Sequence, residues 1–195
     1  MALLKSVAPQ ESGPVISGDL VRLRLPVMSD YPAWAGLRSI SRDFLTPWEP
    51  SWTRNELTRL SFRRRVRHYV REVREDLGYA FLMFRRSDDA LLGGLTISNV
   101  RRGVTQSGTL GYWVGQPHAR QGYMAIGLST VMPFVFDTLR LHRLEAACLP
   151  HNSASMNLLQ KSGFQQEGLA RRYLRINGVW QDHVLFSLIH DDPRP

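Results

Sequence analysis

Three short strands in the middle of the chain constrain the fold more than any other feature. Strands are predicted over residues 79–85, 90–100 and 107–114, because turns at Ser87-Asp88-Asp89 and Arg102-Gly103 separate them as in a meander. A helix opened by Gly122 follows. The complete predicted order is strand, two helices, three strands, helix, strand, helix and strand. This order indicates one α/β domain with a mixed sheet.

The remaining elements and their boundaries are predicted from helix-capping and turn-forming residues and from apolar periodicity. We expect a loose leader over 1–14, a single domain over 15–190 and a C-terminal tail over 191–195. The predicted helices are 30–39, 55–77, 122–139 (with Pro133 inside it) and 153–162. Strands are predicted within 15–25 and over 144–149 and 179–189, the last after an Asn177-Gly178 turn, and 43–52 is predicted as a loop.

Several classes of protein are excluded by composition. No apolar run approaches the ~18 residues that a membrane span needs. The single cysteine, Cys148, excludes an intramolecular disulfide framework and any zinc site built on paired cysteines. We therefore expect a soluble, cytoplasmic protein without a metal.

The net charge of +8 is concentrated in one segment. Residues Arg54 to Arg74 contain eight arginines and two glutamates, so this segment contributes +6. Leucine, valine and aromatic residues recur in it at helical spacing, which predicts an amphipathic helix with the arginines on its outer face. That face is either an ordinary solvated surface or a docking surface for nucleic acid.

A first candidate site is the strand, loop and helix of residues 110–125. The first backbone N–H groups of a helix have no partner within the helix, and with the helix dipole they form a phosphate site. Gly122 would allow a pyrophosphate to approach the backbone, and Arg120 would add charge. The alternative is that Gly122 has a purely conformational role.

A second candidate site is residues 150–164, where a strand leads into Asn152, Ser155, Leu159 and Gly163. A helix capped by Asn152 or Ser153 would explain Leu159 as a core residue and Gly163 as the helix terminator. It would not explain why this segment follows the first one at this distance.

Together the two segments resemble the GNAT superfamily of acetyl-CoA-dependent N-acetyltransferases. The pyrophosphate loop Gln/Arg-x-x-Gly-x-Gly/Ala is matched at Gly122, with departures at Ala119 and Met124. The motif Asn-x-x-Ser-x-x-x-Leu-x-x-x-Gly-Phe is matched at every position, from Asn152 to Phe164. Within the superfamily the chain resembles the RimJ-type subfamily of ribosomal-protein alanine N-acetyltransferases over Val15 to Ile189. Its markers are Pro47-Trp48-Glu49-Pro50, Ser98-Asn99-Val100, Pro150-His151-Asn152, Gln166-Glu167-Gly168 and the run from Asn177 to Val184.

The resemblance implies a GNAT-type mixed, mostly antiparallel central sheet flanked by helices, with acetyl-CoA as co-substrate. The pantetheine arm would pair with the backbone of residues 112–114, and the N–H of Val114 would polarise the thioester carbonyl. Residues 120–125 would hold the pyrophosphate, and Asn152 would hydrogen-bond the cofactor. The implied cofactor-binding residues are Tyr112, Trp113, Val114, Arg120, Gln121, Gly122, Tyr123, Met124, Ala125, Asn152, Ser155 and Asn157.

The catalytic residues are also carried over from the resemblance. Ser155 is expected to protonate the leaving thiolate as general acid. The predicted strand over 107–114 has no carboxylate. Glu49 is therefore the candidate base and His151 the runner-up. A water chain is a further option, because an N-terminal α-amine has a pKa of about 7.7–8.0. Cys148 is expected to be an inert core residue, so the amine would attack the thioester directly.

Acetylation of the N-terminal alanine of a ribosomal protein is the leading hypothesis for function. Trp48, Glu49, Trp52 and Tyr173 would line the acceptor groove, although the aromatic residues equally fit ordinary half-buried positions. Acetylation of a small amine (an antibiotic, an amino acid or a polyamine) is the alternative within enzymes. A nucleic-acid or ribosome-associated protein that docks through residues 54–74 is the third hypothesis. The sequence leaves the oligomeric state open.

Overall fold

A computed structural model describes residues 13–193, which form an eight-stranded sheet flanked by five α-helices. The strands are β1 (Val15–Ser17), β2 (Val21–Arg24), β3 (Tyr79–Arg85), β4 (Leu91–Arg101), β5 (Ser107–Val114), β6 (Arg143–Cys148), β7 (Gln165–Ile176) and β8 (Val179–Ile189). The helices are α1 (Tyr31–Ile40), α2 (Arg42–Leu45), α3 (Arg59–Arg74), α4 (Tyr123–Pro133) and α5 (Ser153–Lys161). Residues 1–12 of the predicted leader and 194–195 of the predicted tail lie outside the described residues.

The strands lie in the order β1-β2-β3-β4-β5-β6-β8-β7. Every neighbouring pair is antiparallel except β5 and β6, which are parallel. This confirms the predicted mixed, mostly antiparallel sheet.

The parallel pair β5 and β6 separates after a short contact. Their pairing begins at Ser107 opposite Arg143 and ends at Thr109 opposite Glu145. Beyond this point β5 continues to Val114 along β4, while β6 continues to Cys148 along β8. Because the two strands follow different neighbours, a wedge opens between them in the middle of the sheet.

Alternating side chains of the strands build a core on each face of the sheet. On one face, Phe81 and Met83 of β3 pack in the larger cluster with Leu128 and Val131 of α4. On the other face, Leu82 and Phe84 join the cluster that contains residues of α1 and α3. Leu128 and Val131 are fully buried, and burial of such a side chain contributes about 1.5–3 kcal/mol. The sheet is therefore packed on both faces.

Three segments differ from the sequence prediction. The strand β7 was not predicted at all, because it is a mostly exposed edge strand without an alternating apolar pattern. The segment 43–52 was predicted as a loop, yet α2 and a 3₁₀ turn (Thr46–Trp48) occupy residues 43–48 of it. The helix predicted over 55–77 is shorter and starts after Thr58, whose hydroxyl caps it by accepting a hydrogen bond from the N–H of Ser61.

No helix within residues 13–193 combines the length and the apolar character that crossing a bilayer requires. In the same part of the chain, no group of three or more histidine, cysteine, aspartate or glutamate side chains is placed to hold a metal ion.

Candidate active site

The edge of β5 that faces the wedge offers free backbone groups. Gly115 donates its N–H to the carbonyl of Leu92 at 2.9 Å, and Val114 lies opposite Gly93 in the next position of the ladder. Hydrogen-bonded and non-hydrogen-bonded pairs alternate in an antiparallel ladder. The N–H and C=O groups of Val114, and by the same alternation those of Tyr112, therefore point away from β4 and into the wedge. An extended ligand arm can pair with them as an additional strand.

The N-terminus of α4 forms an anion cradle beside this edge. Gly122 precedes the helix with φ +81°, and a Cβ atom placed on it would meet nothing within 4 Å. No side chain caps the start of this helix. The first backbone hydrogen bond of the helix runs from the N–H of Ile126 to the carbonyl of Gly122. Arg120, also with a positive φ of 60°, is exposed next to it. The open glycine, the helix N–H groups and the cation together suit a pyrophosphate.

The start of α5 closes the other side of the wedge. Asn152 caps this helix, because its Oδ1 accepts a hydrogen bond of 3.1 Å from the N–H of Ser155. The capping interpretation of Asn152 is thus correct, and its side-chain N–H₂ group remains as the donor for a ligand. The hydroxyl of Ser155 lies 2.7 Å from the hydroxyl of Tyr112. A hydroxyl pair therefore spans the wedge from β5 to α5.

Arg38 and Glu49 join the helix α1 to the segment after the 3₁₀ turn. Arg38 is buried and donates two hydrogen bonds, of 2.8 and 2.7 Å, to the two carboxylate oxygens of Glu49. The indole N–H of Trp52 donates a third, of 2.8 Å, to Glu49. The guanidinium of Arg38 also lies over the rings of Trp52 and Trp113, at 4.4 and 5.0 Å. Trp113 belongs to β5, so this cluster lies beside the wedge.

Two further contacts connect the same segment to the far end of the sheet. The ring of Trp48 lies 5.5 Å from the ring of His151, the residue before Asn152. The N–H of Asn177, in the turn between β7 and β8, donates to the carbonyl of Glu49 at 3.1 Å. The segment 46–52 thus runs from the start of α5 to the β7–β8 turn. We name it, together with that turn and Trp113, the acceptor wall.

Comparison with known proteins assigns this arrangement to a family. The description Acetyltransferase (GNAT) domain matches residues 21–165, more than half of the chain. The chain belongs to the GNAT acetyltransferase family. The probable N-acetyltransferase YjcK of Bacillus subtilis (strain 168) is 33% identical over 178 residues, or 91% of this chain and 98% of that protein.

Two further relatives place the acetyltransferase within the RimJ type. The ribosomal protein uS5-alanine N-acetyltransferase of Escherichia coli (strain K12) is 32% identical over 176 residues, 89% of this chain and 91% of that protein. The solved structure of Mycobacterium smegmatis RimJ in complex with CoA-disulfide has a TM-score of 0.82 and 32% identity, covering 91% of this chain and 86% of that chain. The protein is therefore an acetyl-CoA-dependent N-acetyltransferase.

The residues of the wedge fit acetyl-CoA. The free edge of β5 offers backbone partners for the pantetheine amides, and the cradle at Gly122 offers N–H groups for the pyrophosphate. The side chains at this helix start contact other parts of the protein. Met124 is buried in the core, and the hydroxyl of Tyr123 accepts a hydrogen bond from Arg85. The amide of Gln121 donates to the carbonyl of Pro117. The side chains of these three residues thus contact other parts of the protein. Asn157, further along α5, is exposed.

The hydroxyl and thiol groups of the wedge of the acetyltransferase are protonated at neutral pH. Burial raises the pKa of Tyr112 to about 12, although its hydrogen bond with Ser155 opposes the rise. Burial likewise raises the pKa of Cys148, against the effect of a hydrogen bond with Ser155. Cys148 is buried at the end of β6, where the sequence predicts an inert core thiol. A thiol with a raised pKa is a poor nucleophile at neutral pH, since little thiolate is present.

Sequence reasoning missed two side chains of the acetyltransferase. One feature of the sequence could have indicated that Arg38 is buried. It follows Trp34 by four positions and so lies on the apolar face of α1. The side chain of Tyr112 gave no such signal, since only its backbone was expected to act. Tyr173, one of the predicted acceptor residues, is half-exposed with its ring 6.0 Å from that of His183.

Proposed function

We propose that the enzyme acetylates the N-terminal α-amine of a protein, with alanine of a ribosomal protein as the acceptor. The E. coli relative carries this activity in its name. The observation that carries the proposal is the character of the acceptor wall. It exposes Trp48 at 37%, whereas its carboxylate, Glu49, is paired with Arg38. An open aromatic wall without free negative charge suits a peptide better than a polyamine.

The transfer needs one bond formed and one broken. The amine nitrogen bonds to the thioester carbonyl carbon, the carbon–sulfur bond breaks, the nitrogen gives up a proton and the sulfur gains one. The N–H of Val114, free at the edge of β5, would stabilise the oxyanion. The hydroxyl of Ser155 would donate the proton to the departing sulfur. Asn152, with its free N–H₂ group, would hold the cofactor between them.

The amine can lose its proton without a strong base. An N-terminal α-amine has a pKa of about 7.7–8.0, so a neutral fraction exists near pH 7. Both oxygens of Glu49 already accept hydrogen bonds, three in all from Arg38 and Trp52, and these hold its side chain in the acceptor wall. We therefore assign Glu49 to shaping the acceptor wall and the proton to a water chain. The alternative prediction from the sequence, that Glu49 itself is the base, is tested with its amide variant.

The test offers the enzyme the two classes of acceptor, ribosomal proteins and small amines, in separate reactions. Purified small-subunit ribosomal proteins and a panel of small amines are incubated with labelled acetyl-CoA, and mass spectrometry locates the label. We expect label at the N-terminal alanine of a ribosomal protein and none on the small amines. Turnover of a small amine with the ribosomal proteins unlabelled would replace this function with small-molecule acetylation.

A second candidate activity is docking to RNA through α3. Arg63, Arg64, Arg67, Arg71 and Arg74 are exposed on this helix, and a shallow groove runs between Arg64, Arg67, His68 and Arg71. Neither Arg64 nor Arg67 has an acidic partner within the described part of the chain, while Arg102 and Arg143 on other surfaces pair with Asp76 and Glu167. Protein interfaces bury an apolar centre. A face made of guanidinium groups suits a phosphate backbone instead.

Paired charge reversals test this docking. R64E/R67E is compared with R140E/K161E, which changes the net charge by the same amount at two exposed sites outside α3. Binding of ribosomal RNA is followed by fluorescence anisotropy at low and high salt. We expect the α3 variant alone to lose binding and its salt dependence. Equal losses in both variants would mean that net charge, and not α3, attracts RNA. Docking on the ribosome would place the enzyme in the cytoplasm.

A further inference from the structure

The hydroxyl of Tyr112 reaches across the wedge to the residue proposed as general acid. Tyr112 lies in the half of β5 that has separated from β6, and Ser155 lies in the first turn of α5. The two hydroxyl oxygens are 2.7 Å apart, a normal length for an O–H···O hydrogen bond. Tyr112 packs against the larger core cluster, as does Val114, whereas Trp113 between them packs on the opposite face. The core therefore fixes the ring and, through it, the position of the phenol oxygen.

The direction of this hydrogen bond decides what Ser155 can do. A serine hydroxyl has one proton to donate and two lone pairs that accept. If Ser155 donates to Tyr112, its proton is used within the protein and is not available to a ligand. If Tyr112 donates, the proton of Ser155 is free to point elsewhere. A phenol is the more acidic of the two hydroxyls and thus the better donor. Burial raises the pKa of Tyr112 to about 12 and keeps the phenol proton in place.

The surroundings of Ser155 already include a sulfur acceptor. Cys148, the last residue of β6, is near enough to Ser155 for that side chain to oppose the rise of the Cys148 pKa that burial causes. A serine that accepts from Tyr112 keeps its own proton available for a ligand in the wedge.

We propose that Tyr112 is a positioning residue for acetyl transfer, which donates its hydroxyl proton to Ser155 Oγ and so directs the Ser155 proton to the leaving sulfur. The inference rests on the proposed role of Ser155 as general acid. Tyr112 itself transfers no proton to the product, so the reaction balances as before. Its loss lowers the rate of the chemical step and leaves ground-state binding unchanged, because the hydroxyl acts through Ser155 on the transition state.

A double-mutant cycle on the full chain tests this coupling. The variants are Tyr112→Phe, Ser155→Ala and the double variant, with kcat, the KM of an alanine-starting peptide and the Kd of acetyl-CoA measured for each. We expect Y112F to lower kcat about tenfold, as the loss of one hydrogen bond of roughly 1.4 kcal/mol would do. The KM and Kd should stay within twofold. In the S155A background, Y112F should have no further effect.

Tyr79 supplies the matched control. It is a buried tyrosine whose hydroxyl donates to a neighbour, Asp76, at 2.8 Å, and burial raises its pKa to about 12, as for Tyr112. It lies in β3, away from the wedge. We expect Tyr79→Phe to leave kcat unchanged. Thermal melts of all the variants separate a loss of catalysis from a loss of folding.

Each outcome of the cycle has a distinct meaning. Full activity of Y112F beside a slow S155A would overturn the positioning role and leave Ser155 as the acid. An equal loss from Y112F in both backgrounds would also overturn it, because Tyr112 would then act independently of Ser155. Full activity of S155A would overturn the acid and its positioning residue together, while peptide acetylation by the unaltered enzyme would still uphold the proposed function.

Discussion

The guanidinium of Arg38 donates two hydrogen bonds, of 2.8 and 2.7 Å, to the two carboxylate oxygens of Glu49. The side chain of Arg38 is 9% exposed and that of Glu49 is 21% exposed. This ion pair is thus largely shielded from water, and it fixes the acceptor wall to α1. The proposed acceptor site therefore depends on a contact between residues that are not predicted to bind the cofactor.

Removal of Arg38 is expected to weaken both the fold and the acceptor wall. Arg38→Met leaves the Glu49 carboxylate shielded without its partner, and breaking a buried pair costs about 3 kcal/mol. We expect this loss in the free energy of unfolding measured with urea, together with a raised KM for the peptide and an unchanged Kd for acetyl-CoA. As a control, Arg101→Met breaks the exposed pair with Glu145 and should cost about 1 kcal/mol or less. Equal stability of the two variants would contradict the account.

Replacement of Glu49 by glutamine separates shaping from base catalysis. If Glu49 only shapes the acceptor wall, Glu49→Gln raises the peptide KM but keeps the pH dependence of kcat/KM. That dependence should follow the neutral fraction of the acceptor α-amine, so the rate rises with pH through about 7.7–8.0. A pH–rate profile of the variant and the unaltered enzyme checks this. Loss of the acidic limb in the variant alone would establish Glu49 as the base.

Gly122 is expected to matter for the cofactor beyond its backbone conformation. Gly122 and Gly103 have positive φ values of 81° and 67°, and at both positions an added Cβ would meet open space. Valine at either position should cost a similar ~1–2 kcal/mol of strain. Only Gly122→Val places a side chain in the anion cradle, so only it should weaken acetyl-CoA binding, by tenfold or more in calorimetry. A similar loss of binding in Gly103→Val would show that the effect is general destabilisation.

Glu167 should make stability depend on pH at the acidic end. Hydrogen bonds from Arg143, and then from Ser187, lower the pKa of Glu167 from 4.5 to about 2. A carboxyl with a lowered folded-state pKa stabilises the fold above its unfolded value and loses that contribution as pH falls from about 4.5 toward 2. Because the side chain is 42% exposed, we expect about 1 kcal/mol at most. Glu167→Gln should lower Tm at pH 7 and flatten the Tm curve below pH 5. Parallel curves for both proteins would contradict this.

The sequence predicted the buried strands better than the edge strand. β3 and β5 were predicted with the observed bounds, because turn residues separate the strands of this region. In β7, by contrast, the polar residues Gln165 and Gln166 face solvent and register shifts interrupt the pairing with β8. An edge strand paired on one side and mostly exposed does not need the apolar pattern on which such predictions depend. The Asn177-Gly178 turn was the signal that a strand should precede β8.

The candidate site was predictable where it depends on local chain geometry. Gly122 at a helix start and Asn152 as a cap are set by neighbouring residues, so spacing alone indicates them. The contacts from Arg38 to Glu49 and from Tyr112 to Ser155 join residues 11 and 43 positions apart. Such pairs depend on how α1, β5 and α5 pack in the folded protein, and a pattern of neighbouring residues does not reveal that packing.

The most direct measurement is the position of the acetyl group on a peptide with two different amines. A synthetic peptide with an N-terminal alanine and an internal lysine is incubated with the enzyme and acetyl-CoA, and tandem mass spectrometry locates the product. A matching peptide with a blocked N-terminus is the control. The account predicts one acetyl group on the alanine nitrogen and no reaction of the blocked peptide. Acetylation of the lysine in both peptides, or of neither amine under conditions in which a small amine reacts, would contradict it.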